Sequence, residues 1–310
     1  MRLALVYNPN DRKLKEYSYS YIYKGMLDAL IEAFDGAQLI AGSCEAKDIK
    51  ADVVIFFDPN SCHDITIAGI DKHPALKMEY LSDPHQQELH GIYMQDGSKV
   101  HKLGPEKRMN RLKERGIKFV ISPVRDGFIQ YLGQYVDDIR LLHFPFAPAF
   151  PVKRIKNRIP EVLANGCTWA ADLRCYDFRK WAFTQPEVTR IEHYLIDNTT
   201  PHGKDYSDLL YRFAGGLALS EYYPVPKYYE MPLCGMVTFA QHHPEYEARG
   251  FKDHESCVYV TKTNFKDRLG DFLEHPDEYG DIAKAGQEVM KNYTARKFGE
   301  FIFNKAKEEA

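Results

Sequence analysis

A lysine and a glutamate three positions apart, Lys227 and Glu230, interrupt a stretch otherwise suited to burial, VPKYYEMPLCGMVTFAQHH (residues 225–243). That spacing places both side chains on one face of a helix. Pro226 suits the first helical position and Gly235 the cap beyond the last turn. A helix starting here turns N–H groups and the positive end of its dipole toward an anion. The carboxylate is able to accept both hydroxyls of a ribose while the lysine and the N–H groups face a diphosphate. Pro232 deletes one intrahelical hydrogen bond, a cost of roughly 3 kcal/mol in a regular helix. Local rules break most often at functional sites. The plain alternative is an exposed intrahelical salt bridge, worth ~0.3 kcal/mol.

Three further groups carry potential chemistry. Gly166 follows a strand-like run and lets the backbone approach a phosphate closely. Arg174 and Arg179 come soon after it; a guanidinium matches phosphate oxygens two at a time and stays charged. Arg179 is the preferred clamp and Arg174 the reserve, with two surface arginines as the plain alternative. Asp83 and His85, in YLSDPHQQELHG (80–91), stand after another strand, where either could take the proton of an attacking hydroxyl. An ordinary Asp-Pro turn beside a lone histidine explains them equally. His242, one of two adjacent histidines after a strand, is placed for contact with a bound sugar, with one solvated and one packed histidine as the plain alternative. No metal-ligand spacing is present among these groups.

The elements that must position them read as an alternation of short apolar strands and amphipathic helices. Leu3–Tyr7, Val53–Phe57, Lys77–Leu81 and Ile117–Ile121 are the first strands, with helices over Tyr21–Phe34 and Pro105–Arg115. The fully apolar run at 53–57 is the kind buried on both faces of a parallel sheet. HFPFAPAFPVKRIKNRIP (143–160) breaks the rhythm as a proline-rich linker. The alternation then restarts, with strands at 161–164, near 194–196, at 217–220, 236–240 and 257–260. The expected fold is α/β, two Rossmann-like doubly wound domains facing a cleft, over residues 1–150 and 151–310. The last helix has room to pack back on the first domain. Ligands in such sheets lie beyond the carboxyl ends of the strands.

Composition limits the partners. The 310 residues carry a formal net charge of −3, which gives no global attraction to nucleic acid or an anionic membrane. A local exception is the basic stretch from Lys99 to Lys118, which presents either a solvated helix face or a surface for an acidic partner. The six cysteines form no Cys-x-x-Cys pair and read as reduced thiols, so a cytoplasmic location is expected. No apolar run reaches the ~20 residues of a spanning helix, and no Gly-x-Gly-x-x-Gly follows the first strand, which argues against a nicotinamide dehydrogenase.

The segments KYYEMPLCG, EYEARGFKDHESCVYV and FLEHPDEYGDIAKAGQEVMKNY, preceded by VLANGCTWAADLRCYDFRKW and DYSDLLYRFAGGLALSEYY, resemble the C-terminal half of a GT-B glycosyltransferase. The likeness is to the group-1-type domain of CgeB-like spore-maturation proteins and covers roughly residues 160–295. It implies transfer of a sugar from a nucleotide-sugar donor to an acceptor hydroxyl, with Glu230 holding the donor ribose. Many retaining members carry a second glutamate eight residues earlier. That position is Tyr222 here, with Glu221 beside it, so the retaining pattern is displaced.

On this reading Gly166, Arg174, Arg179, Tyr222, Lys227, Glu230 and His242 bind the donor, and Asp83 or His85 serves the acceptor. The absence of an Asp-x-Asp motif points to a metal-independent reaction with no cofactor beyond the donor substrate. The acceptor is unassigned, with a polyanion such as DNA, teichoic acid or lipopolysaccharide suggested by the basic stretch. Two rivals stand beside it. One is a nucleotide-sugar 2-epimerase of the same fold. The other is a non-catalytic module binding sugar nucleotide or nucleic acid.

Overall fold

The computed structural model describes residues 1–9, 14, 21–34, 36–58, 65–82, 92–93, 99–100, 105–133, 138–153, 155–166, 168, 176–191 and 203–309. The chain divides into two compact units. One gathers Met1–Lys15, Tyr23–Pro145 and Ala295–Ala310, and the other gathers Glu16–Ile22 and Phe146–Thr294.

The first unit holds β1 (Leu3–Tyr7), α1 (Ile22–Ala33), β2 (Ala37–Ile40), the short β3 (Cys44–Glu45), β4 (Val53–Asp58) and the short β5 (Ile67–Ala68). It continues with β6 (Leu76–Leu81), the short β7 (Ile92–Tyr93) and β8 (Lys99–Val100), α2 (Pro105–Glu114), β9 (Phe119–Ser122), α3 (Arg125–Leu132) and β10 (Arg140–His143). Six strands form a parallel sheet in the order β10-β9-β6-β4-β1-β2. Leu3 to Val6 and Val53 to Phe57 are buried without a break, because helices cover both faces of this sheet. The edge strands β2 and β10 are half exposed, so neither carries the apolar run that marks the inner strands in the sequence. The C-terminal helix Ala295–Glu309 belongs to this unit: Phe298 lies edge-on to Tyr80 and Phe144, and Phe303 to Phe34.

The described part of the basic stretch does not turn all of its charge outward. Arg108, Arg111 and Arg115 lie at i, i+3 and i+7 on α2 and its continuation, one stripe of a helix, and they turn inward. Arg111 Nη2 and Arg115 Nη1 donate to the two oxygens of Glu79 at 3.0 and 2.8 Å. Glu79 is 0% exposed, and a carboxylate taken fully from water has to be paired. Among the described residues of α2, Lys107 and Lys113 are left on the outside.

The second unit contains β11 (Ile159–Asn165), α4 (Asp177–Ala182), β12 (Thr189–Ile191), α5 (Gly203–Arg212), β13 (Phe213–Ala218) and α6 (Lys227–Leu233). β14 (Val237–Ala240), α7 (Pro244–Glu247), β15 (Val258–Tyr259), α8 (Phe265–Glu274) and α9 (Gly280–Met290) follow. Its parallel sheet runs β12-β11-β13-β14-β15. Phe178 of α4 and Phe265, Leu269 and Phe272 of α8 share a core with Val162, Leu217, Val237 and Phe239 on one face. α6 and α9 pack on the other.

β13 starts directly at the end of α5, four residues earlier than the sequence suggests. Gly215 and Gly216 conceal it from a reading of strand propensity. A Cβ on Gly215 would lie 3.1 Å from both the Phe239 and Phe272 rings, and one on Gly216 2.7 Å from Met236 Cε. Glycine at these two positions lets the phenyl rings on one face and the methionine ends on the other approach the strand closely. A strand expected near Tyr194–Ile196 lies outside the described residues.

Both sheets share one topology: the first strand of each sheet lies between the next two strands of that sheet, β1 between β2 and β4 and β11 between β12 and β13. The crevice at the carboxyl ends of the first and third strands is the topological switch point, where doubly wound sheets bind ligands. In the second unit these strands are β11 and β13.

Candidate active site

Gly166 is the first residue beyond β11 and has φ +120°, a backbone conformation that a residue with a side chain rarely adopts. A Cβ there would stand 2.8 Å from Lys227 Cε, 3.4 Å from Lys227 Nζ and 4.0 Å from Arg179 Nη1. The glycine therefore does two things at the switch point: it makes the turn and leaves room for two cations.

Lys227 and Glu230 open α6, on the chain leading out of β13. They are 3% and 0% exposed, so the exposed salt bridge considered from the sequence is not what forms. Lys227 Nζ donates to the Tyr206 hydroxyl at 3.2 Å, and that hydroxyl donates to Glu230 Oε2 at 3.2 Å. Tyr206, on α5, is itself buried. The start of α6 also differs from the expectation of outward N–H groups. The Tyr228 and Tyr229 N–H groups bond the Val225 and Pro226 carbonyls at 3.0 and 2.9 Å, tightening the first turn. The cation at this end of the helix is the Lys227 ammonium.

The far end of α6 is tied down by groups from distant parts of the chain. Gln287 Nε2 donates to Leu233 O at 2.9 Å, and Arg158 donates to Cys234 O and, at 2.9 Å, to Phe213 O. Arg158, from the supposed linker, thus satisfies carbonyls left open where the helix stops. Burial pushes the neighbouring Cys234 thiol up to about 12 and keeps it inert.

Arg179 is 4% exposed. Its Nε donates to Leu219 O at 2.9 Å, a second bond from Nη2 reaches the same carbonyl, and its guanidinium lies 3.7 Å over the Tyr176 ring. Glu221, two residues beyond Leu219, accepts the Phe178 N–H at 2.8 Å. Burial raises its pKa above the usual carboxylate range. A cavity of about 430 Å³ beside it is lined by Phe178, Glu221, Gln241, His242, Thr261 and Lys262, at the carboxyl ends of β13, β14 and β15.

Of the donor residues expected from the sequence, the structure brings together Gly166, Arg179, Lys227 and Glu230. Tyr222 is 43% exposed and is not part of that cluster. His242 is half-exposed, 3.0 Å from Glu247 Oε2 and edge-on to Tyr259, on the cavity rather than the cluster. The next residue, His243, is buried with its Nε2 2.8 Å from Ser220 O. Arg174, Asp83 and His85 lie outside the described residues. Tyr206 was not singled out from the sequence. Its signal was present, since it shares the buried stripe of α5 with Leu209 and Leu210, and a buried phenol needs a partner.

Residues 200–303 match the family model described as glycosyl transferase-like. This stretch is similar to that family over about a third of the chain. It contains Tyr206, Lys227 and Glu230 and ends in the helix that packs in the first unit. No curated protein sequence matches the chain.

Among solved structures, Anabaena HepE in complex with UDP-glucose superposes with a TM-score of 0.61 at 9% identity, covering 100% of both chains. The glycosyltransferase AviGT4, of avilamycin A biosynthesis, gives 0.53 at 11%, covering 99% of this chain and 97% of its own. TarM gives 0.49 at 12%, covering 82% of this chain and 54% of its own. The chain thus spans little more than half the length of TarM. HepE and AviGT4 establish the fold, two Rossmann-like domains of the GT-B kind. No described helix is long and apolar enough to cross a membrane. Among the described residues, no group of three or more His, Cys, Asp or Glu side chains is arranged to hold a metal ion.

Proposed function

We propose that the protein is a glycosyltransferase that takes a sugar from a nucleotide-sugar donor bound in its second unit. The observation that carries this reading is the burial of Lys227 and Glu230 around Tyr206 next to Gly166, at the switch point of the unit that holds most of the glycosyl transferase-like match. Taking two opposite charges out of water adds little net stability and often costs it, so their retention calls for a role in the site. Glu230 would accept the ribose hydroxyls, and Lys227 and Arg179 would face the diphosphate. As the glycosidic bond breaks, the leaving nucleoside diphosphate gains negative charge, which these fixed cations stabilise without reorganising. Glu230 is 0% exposed, so pentose binding requires the groups that cover it to move.

The donor class is supported by the UDP and UDP-glucose held by HepE. The first unit would receive the acceptor, with Asp83 or His85 as its base. We also propose that the cations of the chain replace a metal ion in this reaction. Cys44, Cys234 and Cys257 are unpaired thiols, which favours the cytoplasm.

A thermal-shift panel of UDP-, GDP-, ADP- and CMP-sugars tests the donor reading, since a bound ligand stabilises by mass action. One class should raise the melting temperature, with transfer to an acceptor persisting in EDTA. A flat panel refutes the reading. Conversion of the donor sugar to its 2-epimer, seen by NMR without any acceptor, would replace it with the epimerase.

A further inference from the structure

We propose that Glu221 is a positioning residue: by accepting the Phe178 N–H it fixes the short helix α4, and α4 in turn aims the Arg179 guanidinium at the phosphate position beside Gly166. The inference rests on the reading of Arg179 as a diphosphate ligand.

α4 has six residues, too few for a helix to persist on its own. Tyr176 at its N-cap position makes no side-chain bond to the first turn. The cap comes instead from 43 residues downstream, where Glu221 Oε1 takes the Phe178 N–H at 2.8 Å. A carboxylate there both satisfies an N–H of the first turn and sits at the favourable end of the helix dipole. The next residue in α4 is Arg179, whose Nε returns to Leu219 O at 2.9 Å.

Two tethers therefore join α4 to the three residues Leu219–Glu221 that leave β13. Between them Ser220 O is held by His243 at 2.8 Å. The anchor is itself tied to the start of α7, whose N-cap residue is that histidine. Burial meanwhile disfavours the ionised form of Glu221. A carboxylate kept in place against that cost, with one oxygen on the helix that carries the clamp, sets where the clamp points. A clamp displaced by an ångström loses much of its effect.

The test measures inorganic pyrophosphate binding by calorimetry for the wild type, Glu221→Ala, Glu221→Gln, Arg179→Ala and the double variant E221A/R179A. Glu221→Ala should weaken pyrophosphate about tenfold, the scale of one lost charge-assisted contact. Glu221→Gln keeps an accepting oxygen for Phe178 and should stay within about twofold of the wild type. In the Arg179→Ala background Glu221→Ala should cost nothing more, because the coupling runs through that guanidinium. Additive losses, or wild-type binding by Glu221→Ala, overturn the positioning role while leaving the donor reading intact. A wild type that binds no pyrophosphate removes the donor reading and this proposal together. If Glu221→Ala does not fold, hydrogen exchange at the Phe178 amide in the wild type and Glu221→Gln decides. Protection in both supports the cap, and open-chain exchange in the wild type overturns it.

Discussion

Lys227 and Glu230 meet on a single phenol: the Tyr206 hydroxyl accepts from the lysine and donates to the glutamate, each at 3.2 Å, with all three side chains buried. A buried charge pair adds little net stability over apolar residues of similar volume. The proposed donor site gives the pair a role.

That contrast separates stability from function. Removing one member of a buried pair strands the other, at a cost of about 3–5 kcal/mol. Glu230→Leu should therefore lower stability by that amount in chemical denaturation. The double variant Lys227→Met/Glu230→Leu, which removes both charges, should recover most of the loss and still bind no nucleotide-sugar. Recovery of donor binding together with stability would place the donor elsewhere.

Tyr206→Phe probes the bridge with less disturbance. The phenol leaves, the ring stays, and two buried polar groups each lose a partner, a penalty of about 1–3 kcal/mol. The melting temperature should fall, and donor affinity should fall with it, because the lysine and glutamate lose their shared anchor. A variant as stable as the parent would show that the hydroxyl has no structural part.

Gly166→Ala asks whether the turn after β11 matters to the cations. The new Cβ would lie 2.8 Å from Lys227 Cε, at a φ of +120° that already strains an alanine. The lysine stem is flexible enough to yield, so the chain should fold, and the ammonium should be displaced as it yields. Nucleotide affinity is expected to drop by about tenfold or more for one misplaced charge contact, with a smaller change in melting temperature. Unaltered affinity by calorimetry would remove Gly166 from the site.

Much of this was legible from residue order, for physical reasons. The inner strands announce themselves because a sheet covered on both faces needs unbroken apolar runs, as at Val53–Phe57. Lys227 and Glu230 stood out because charge inside an apolar stretch has few explanations. β13 was misplaced because its two glycines answer to the rings and thioethers around them, not to strand propensity. The three arginines near residue 110 read as a surface because composition does not say which way a side chain turns. Their partner Glu79 lies some thirty residues upstream and had no signal of its own. Tyr206, Arg158 and Glu221 act through contacts 24 to 76 residues away in sequence, beyond any spacing rule. The likeness to CgeB-like proteins stays a likeness of sequence.

Glu79 gives the first unit a pH dependence with a definite sign. Burial alone would raise its pKa, but Arg111, Arg115 and Arg108 around it hold it below the usual range. A carboxylate with a folded-state pKa below its unfolded value stabilises the fold above that unfolded value, about 4.3 for glutamate. The contribution drains away as pH falls further, through the folded-state pKa. Glu79→Gln should therefore be less stable than the parent at pH 7, by about 3–5 kcal/mol if the arginines are left without a countercharge. The gap between the two urea midpoints should narrow progressively below about pH 4.3. A gap that stays constant over that range would mean the carboxylate is not ionised in the fold, and the three inward arginines would need another countercharge.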